Sequence, residues 1–230
     1  MDIHVLQHVA HEGPGIIREW ARKNNHKVHM YPVFQENVSW PDFRSDDVLV
    51  VMGGPMNVYE EEKYPWLADE KSLIRETVST GRKTLGICLG AQLIADVIGG
   101  KVVRNDHAEI GWFPIRWTKA AANLSFFKHS SEEMLVYHWH GDRFELPSGV
   151  ELLAESAGCS HQAFKYEDHV LGFQFHAEMR EQDARQLIEH SRDELNPGPF
   201  IQTEEQMLAN PEWFVDTNKW MEQFLDIYLR

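Results

Sequence analysis

The sequence of 230 residues predicts an α/β fold, a three-layer sandwich with a central, mostly parallel sheet and helices on both faces. Residues 48–51 read Val-Leu-Val-Val, an apolar run that is typical of a strand covered on both faces. Residues 84–97 read as a short apolar strand, a sharp turn and a helix, which is the unit that builds parallel sheets. We expect a single domain over residues 1–230, with a C-terminal helical extension over about 197–230.

The first half of the chain alternates between strand and helix patterns. Strands are predicted over residues 3–9, 26–33, 48–51 and 84–87, and helices opening at Gly13-Pro14, from Pro65 to Thr80, and over 89–98. The helix that opens at Gly13-Pro14 follows a His-rich turn. This order indicates a β-α-β opening.

The second half is richer in strands. They are predicted over residues 101–104, 109–117, 134–144, 150–154, 162–166 and 170–175, the last three forming a meander or a mixed sheet edge. We expect the strand over 134–144 to break at Gly141-Asp142. Two helices follow, over 178–195 and 211–230, and the last carries an aromatic stripe. We expect this stripe to face the core; an exposed stripe would instead form a homodimer or partner surface.

Composition excludes several classes of partner. The formal net charge is −14 and no run of Lys or Arg offers a basic face, which argues against nucleic-acid binding. No uncharged apolar stretch approaches eighteen residues and the N-terminus lacks a signal-peptide pattern, so we expect no membrane association. Two cysteines do not make a disulfide framework. A cytoplasmic protein is the expectation.

Cys88 is the first candidate catalytic residue. It stands at the strand-to-helix junction between Gly86 and Gly90, a spacing that follows the logic of a nucleophile elbow with sulfur in place of oxygen. We expect the helix N-terminus to lower the pKa of the thiol, and the Leu89 N–H to serve as an oxyanion donor. The alternative interpretation is a buried structural cysteine in a tight turn.

Two other segments supply partners for this thiol. Gly53-Gly54 follows the strand over 48–51 and can turn backbone N–H groups toward an anion, although a plain tight loop explains the pattern equally well. His176 ends the strand over 170–175, and Glu178 follows two residues later. Strand ends of a parallel sheet meet at one edge, so we expect His176 to reach Cys88. The three side chains would form a Cys-His-Glu triad, with oxyanion donors at Gly54 and Leu89.

A metal site is a further possibility that the spacing does not favour. His138 and His140 face the same side of a predicted strand, but no third ligand stands at a diagnostic spacing. We expect no metal.

The motifs together resemble the class I glutamine amidotransferases, in particular stand-alone proteins similar to the glutaminase part of GMP synthase. The resemblance covers roughly residues 45–180. It is carried by four segments, Gly53-Gly54-Pro55, Gly86-Ile-Cys88-Leu-Gly90-Ala-Gln92, His140-Gly141-Asp142 and Gln174-Phe175-His176-Ala177-Glu178.

The resemblance implies a flavodoxin-like sheet and hydrolysis of a γ-carboxamide through a γ-glutamyl thioester, with no cofactor. It implies that the substrate-binding residues are Gln92, Gly53 and the backbone around His140 and Gly141. Two positions depart from the family pattern: Ala177 replaces a usual proline, and Met56 stands where many members have glycine. A bulky Met56 would change which amide fits.

Three functions follow as hypotheses. The first is a glutaminase that releases ammonia for a synthase on another polypeptide, because no ATP-binding loop lies on this chain. The second is a stand-alone hydrolase or peptidase of γ-glutamyl conjugates. The third is a non-catalytic binding or thiol-sensing protein on the same fold.

Overall fold

The computed structural model of the chain describes residues 1–36, 38–127 and 130–229. Within these ranges the strands are β1 (Asp2–Gln7), β2 (Lys27–Pro32), β3 (Val48–Val51), β4 (Thr84–Ile87), β5 (Lys101–Trp117), β6 (Glu133–Glu145), β7 (Glu151–Ser156), β8 (Ala163–Tyr166) and β9 (Val170–Phe173). The helices are α1 (Gly15–Lys23), α2 (Trp66–Ser79), α3 (Leu89–Val97), α4 (Lys119–Ala122), α5 (Glu181–His190), α6 (Glu204–Met207) and α7 (Glu212–Tyr228). Single 3₁₀ turns form at Ser125–Phe127 and Arg192–Glu194.

The described strands form one sheet in the order β2-β1-β3-β4-β9-β8-β7-β5-β6. The strands from β2 to β9 in this order pair in parallel, and those from β9 to β6 pair antiparallel. The predicted α/β fold is confirmed. The antiparallel half is larger than the sequence suggested, because β5 and β6 are long strands that pair along most of their length.

Helices cover both faces of the parallel half. Val48 and Val50 pack in a core cluster that includes residues of α1 and α7. Leu49 and Val51 pack on the opposite face with residues of α2 and α3. Because successive strand side chains point to opposite faces, all four residues of β3 are buried, which explains its uninterrupted apolar run.

Two predictions about β5 and β6 were wrong. The strands expected over 101–104 and 109–117 are one strand, with a shift of register between Arg104 and Glu109. The break expected at Gly141-Asp142 does not end β6, which continues to Glu145 because Asp142 pairs with Arg104, although the pairing with β5 shifts register opposite Gly141. Cross-strand pairing decides these boundaries, and the local sequence does not reveal it.

The C-terminal helices are shorter than predicted. The expected helix over 178–195 is α5 followed by the 3₁₀ turn at Arg192–Glu194. The final helix, α7, ends at Tyr228, and Arg230 lies outside the described residues. Its aromatic stripe faces the core as predicted, and the Tyr228 hydroxyl donates to the carbonyl of Thr84 at 2.9 Å. The single-domain organisation stays a prediction.

In the described ranges, no helix combines the length and the apolar character that crossing a lipid bilayer requires.

Candidate active site

Cys88 occupies a strained turn between β4 and α3. Its backbone has φ 51° and ψ −110°, in the left-handed half of the map that residues with a Cβ seldom enter. Its N–H donates to the carbonyl of Phe173 at 2.7 Å, which fixes the turn against the end of β9. A Cβ built on Gly86 would lie 2.6 Å from the backbone of Gly90, so the turn requires glycine there. The elbow geometry expected from the sequence is present.

His176 lies three residues beyond the end of β9 and is held from two sides. Its N–H donates to the carbonyl of Tyr137 on β6 at 2.8 Å. Its side-chain Nδ1 lies 2.7 Å from Glu178 Oε1, and both side chains are buried. Because a carboxylate accepts, Nδ1 carries the proton, and Nε2 is left for exchange with another group.

Gly53 shows how closely the thiol and the imidazole approach. A Cβ built on Gly53 would lie 3.2 Å from His176 Cε1 and 3.5 Å from Cys88 Cβ, so the two side chains flank one point of the loop after β3. Burial works to lower the pKa of His176, but the Glu178 carboxylate and the Cys88 sulfur hold it well above its usual range. The structure therefore brings Cys88, His176, Glu178 and Gly53 together.

Further contacts orient the sulfur. Cys88 Sγ lies 3.6 Å from the carbonyl oxygen of Trp139, to which the thiol donates. Gln174 Nε2 lies 3.7 Å from the same sulfur and donates to it. Gln174 lies two residues before His176. One short segment therefore supplies both the imidazole and an amide that contacts the sulfur.

The predicted oxyanion donors are neighbours. A Cβ built on Gly54 would lie 3.2 Å from Leu89 Cδ2. Within the described residues, the N–H groups of Gly54 and Leu89 have no protein acceptor. Two unpaired donors beside a thiol can stabilise a developing oxyanion.

A cleft of about 210 Å³ opens at this point. Of the site residues predicted from the sequence, Gly54, Cys88, Gln92, His140 and Gly141 line the cleft. Gln92 Nε2 donates to the carbonyl of Asp142 at 3.3 Å and to Gln174 Oε1 at 3.1 Å. His176 and Glu178 are buried beside the cleft.

Several charged residues of the cleft were given no role in the sequence analysis: Glu12, Arg104, Asp142 and Glu194. Arg104 Nη1 donates to Asp142 Oδ1 at 3.3 Å. Burial raises the pKa of Glu12. Asp142 had a local signal in its neighbours His140 and Gly141. Glu12 and Glu194 had none, because Glu12 lies in the loop before α1 and Glu194 in the 3₁₀ turn after α5, and only tertiary folding brings these two segments to the cleft.

The side chain of His140 takes part in a buried network. Its Nε2 lies 3.1 Å from Glu109 Oε2, and its Nδ1 lies 3.0 Å from the carbonyl oxygen of Asp142. Ser156 Oγ and Gln162 Nε2 also donate to Glu109, at 2.7 Å and 2.6 Å. Because both ring nitrogens of His140 are hydrogen-bonded, it is chiefly the backbone of this residue that remains to bind a molecule in the cleft.

Glu109 also supplies the third potential metal ligand that the sequence did not indicate. One ligand atom each from Glu109, His138 and His140 lies within 4.8 Å of the others. Burial lowers the pKa of His138 to about 4. Burial favours a higher pKa for Glu109, but the hydrogen bond from His140 and the charge of the two imidazoles lower it to about 2. Three donors already satisfy Glu109, and the absence of a metal stays a prediction.

Comparison with known proteins identifies the family. The family model described as glutamine amidotransferase class-I matches residues 15–192, which is well over half of the chain. The chain belongs to the class I glutamine amidotransferase family.

The relatives match either nearly the whole chain or a little over half of it. This amidotransferase is 33% identical over 233 residues to the glutamine amidotransferase-like protein YfeJ of Salmonella typhimurium, covering 98% of this chain and 96% of that protein. It is 34% identical over 137 residues to the glutamine-hydrolysing GMP synthase of Streptococcus mutans, covering 57% of this chain and 25% of the synthase. The crystal structure of a glutamine amidotransferase from Thermotoga maritima superimposes with a TM-score of 0.89 at 28% identity, covering 100% of this chain and 98% of that one.

Proposed function

We propose that the protein is a cysteine-dependent amidohydrolase that hydrolyses the γ-carboxamide of glutamine and releases ammonia. The observation that carries this proposal is the buried His176–Glu178 pair, 2.7 Å apart, beside a thiol held in a strained strand-to-helix turn. A buried pair with a raised imidazole pKa next to a nucleophile is the arrangement that covalent amide hydrolysis needs. Membership of the class I glutamine amidotransferase family supports it.

The mechanism follows from the roles that these groups can take. His176 Nε2 accepts the thiol proton, and the sulfur attacks the γ-carbonyl carbon to form a C–S bond. The N–H groups of Gly54 and Leu89 stabilise the resulting oxyanion. His176 then returns the proton to the amide nitrogen, the C–N bond breaks, and ammonia leaves a γ-glutamyl thioester. Glu178 holds the imidazole tautomer throughout.

Deacylation uses the same groups in the reverse proton order. Water attacks the thioester carbon while His176 takes its proton, the C–S bond breaks, and the proton returns to the sulfur as glutamate leaves. No metal or cofactor enters either half of this scheme.

The glutamyl end of the substrate has candidate partners in the cleft. We assign its α-carboxylate to Arg104, which lines the cleft and is largely exposed. In this orientation the α-amino group of the substrate lies near hydrogen-bond acceptors at Asp142. Gln92, Gly53 and the backbone of His140 and Gly141 complete the proposed subsite.

A second candidate function is hydrolysis of γ-glutamyl conjugates by the protein alone. Glu12 favours it, because this carboxyl group lines the cleft, and its Oε2 would lie 2.5 Å from a Cβ built on Gly53, a point that is also 3.2 Å from His176 Cε1, so the carboxyl group lies near the imidazole. The leaving amine departs on the side of the imidazole, since His176 protonates it. A carboxyl oxygen there can accept a hydrogen bond from a substituted amine. Met56 also lines the cleft, so its bulky side chain restricts the amide that fits.

The cellular setting of the activity is proposed on the same basis. Both cysteines are free thiols, which supports a reducing, cytoplasmic location. If the released ammonia is used in synthesis, the acceptor is a separate synthase subunit. Association as a homodimer is a further prediction about the assembly.

The decisive experiment is labelling with diazo-oxo-norleucine, a glutamine-like electrophile, followed by intact mass measurement and peptide mapping. The proposal expects one adduct, at Cys88, and none at Cys159. Assays of ammonia release from glutamine and of amine release from γ-glutamyl peptides then separate the two candidate functions. Alkylation of Cys88 by iodoacetamide without any reaction with the glutamine analogue would contradict both, and would favour a thiol-sensing or binding role.

A further inference from the structure

His8 and Glu70 form a buried pair behind the proposed oxyanion hole. His8 Nδ1 lies 2.9 Å from the carbonyl oxygen of Gly53, and His8 Nε2 lies 2.9 Å from Glu70 Oε1. Both side chains are fully buried. We propose that His8 and Glu70 are positioning residues that orient the Gly53–Gly54 peptide for oxyanion stabilisation, an inference that rests on the proposed hydrolase function.

The orientation of that peptide follows from its geometry. The peptide is trans, and in a trans peptide the carbonyl and the N–H point in opposite directions. Because His8 holds the Gly53 carbonyl, the Gly54 N–H points away from His8. Gly54 lines the cleft that contains Cys88, and this N–H has no acceptor among the described residues. The donor is therefore presented to the cleft.

The hydrogen-bond partners of His8 require both of its ring nitrogens to donate. Nδ1 faces a carbonyl oxygen and Nε2 faces a carboxylate, and neither of these groups can donate when Glu70 is ionised. Burial alone would lower the pKa of His8, but the Glu70 carboxylate raises it overall, with a smaller contribution from Glu12. An imidazolium makes charge-assisted hydrogen bonds, which hold geometry more strongly than neutral ones.

Packing leaves the loop little freedom to turn. A Cβ built on Gly54 would lie 2.8 Å from His8 Cβ, so the loop lies directly on the His8 side chain. The His8 ring stacks on Trp66, with ring centroids 5.6 Å apart, and Glu70 comes from the same helix, α2. The pair therefore links the loop after β3 to a helix on the sheet face.

The buried His8–Glu70 pair stabilises the fold less than apolar residues would in the same place. Glu70 Oε2 is buried without a hydrogen-bond partner, and buried ion pairs commonly stabilise a fold less than apolar residues of similar volume. Buried charges of this kind concentrate where a geometry must be held for chemistry. We therefore expect that removing the pair slows the step that forms the oxyanion, and does not only lower the free energy of unfolding.

The test compares amide hydrolysis with thiol alkylation on matched variants. The double variant His8→Leu/Glu70→Leu leaves no buried charge unpaired and removes the donor to Gly53. It should release ammonia from glutamine about 10²-fold more slowly, because the tetrahedral intermediate of amide hydrolysis carries the oxyanion that the Gly54 N–H is proposed to stabilise. Its alkylation by iodoacetamide, which needs no oxyanion hole, should be unchanged. In glutamine hydrolysis the loss should fall on kcat, with KM little altered.

Rescue by a side-chain donor separates positioning from packing. In the Glu70→Leu background, His8→Asn keeps a donor near the Nδ1 position and should recover more of the rate than His8→Leu. If a variant does not fold, nitrogen NMR of the unaltered protein tests the proposal instead. Both ring nitrogens of His8 should be protonated at neutral pH. A His8 ring with Nδ1 unprotonated would overturn the proposal.

Two failures are distinguishable. If the unaltered protein gives no adduct with diazo-oxo-norleucine, the hydrolase function falls and this inference falls with it. If the unaltered protein reacts and the double variant hydrolyses glutamine at the same rate as the unaltered protein, the hydrolase stands and the role of His8 and Glu70 alone is refuted.

Discussion

Gly90, the second residue of α3, lies directly against Val51, the last residue of β3. A Cβ built on Gly90 would overlap the carbonyl oxygen and carbon of Val51. The Gly90 N–H donates to the carbonyl of Met52 at 3.0 Å, so the helix start is joined to the loop that carries Gly53 and Gly54. This contact sets the distance between the elbow and the proposed oxyanion loop.

Substitution of Gly90 by Ala should lower the free energy of unfolding. Alanine favours a helix by about 1 kcal/mol over glycine, but overpacking against backbone costs about 1–3 kcal/mol and more where the backbone cannot move. Gly13→Ala is the matched control, because a Cβ there meets nothing within 4 Å. Urea unfolding of both variants measures the difference. A Gly90→Ala protein as stable as Gly13→Ala would contradict the observed contact.

Cys88→Ala should abolish turnover and leave the fold intact, since the change removes a nucleophile and little volume. Cys159→Ala is the matched control. It is also a buried free thiol, and burial raises its pKa to about 12, so it is unsuited to nucleophilic attack. Ammonia release should be lost in the first variant and kept in the second. Turnover that survives in Cys88→Ala removes this residue from the mechanism.

His176→Ala should reduce kcat by roughly 10³-fold or more, as expected for loss of a triad base. The comparison is His140→Ala, because His140 is a second histidine that lines the cleft. Its ring nitrogens are held by Glu109 and by the Asp142 carbonyl, so its removal should act mainly on stability. Steady-state kinetics and thermal unfolding of the two variants decide the matter. A mild kinetic effect of His176→Ala with a severe one for His140→Ala would reverse the assignment.

Glu178→Gln should lower kcat by about 10²- to 10⁴-fold, because an amide can present its donor to Nδ1 and favour the wrong imidazole tautomer. The substitution preserves size and is not expected to change the fold. Iodoacetamide alkylation of Cys88 provides a second measurement, and it should slow because His176 no longer stabilises the thiolate as strongly. Unchanged kinetics in both assays would mean that Glu178 has no part in orienting His176.

Glu109→Gln should destabilise the protein near neutral pH, by an amount that shrinks in acid. The folded pKa of Glu109 is about 2, below its ordinary value of 4.5, so its contribution is complete above about pH 4.5 and is lost as pH falls toward 2. A shift of this size corresponds to roughly 3 kcal/mol. Urea unfolding of both proteins over this pH range tests it. A stability difference that stays constant from pH 7 to pH 3 would contradict the assignment.

Much of the parallel half of the fold could be predicted from local pattern. The apolar residues of β3, the strand-to-helix junction at Cys88 and the aromatic face of α7 each record burial that is visible along a few residues of chain. The boundaries within β5 and β6 could not be predicted. The register shift after Arg104 and the continuation of β6 through Gly141 depend on which residues pair across strands.

The sequence by itself determined the residue types of the site and their places at strand ends. Cys88 follows β4, Gly53 follows β3 and His176 follows β9, and carboxyl ends of parallel strands meet at one edge of a sheet. Tertiary structure alone decided what surrounds them. His8 and Glu70 are 62 residues apart, and Glu109 reaches His140 across 31 residues. Such contacts depend on how helices pack and strands pair, and the local periodicity of a sequence does not show which elements will contact each other.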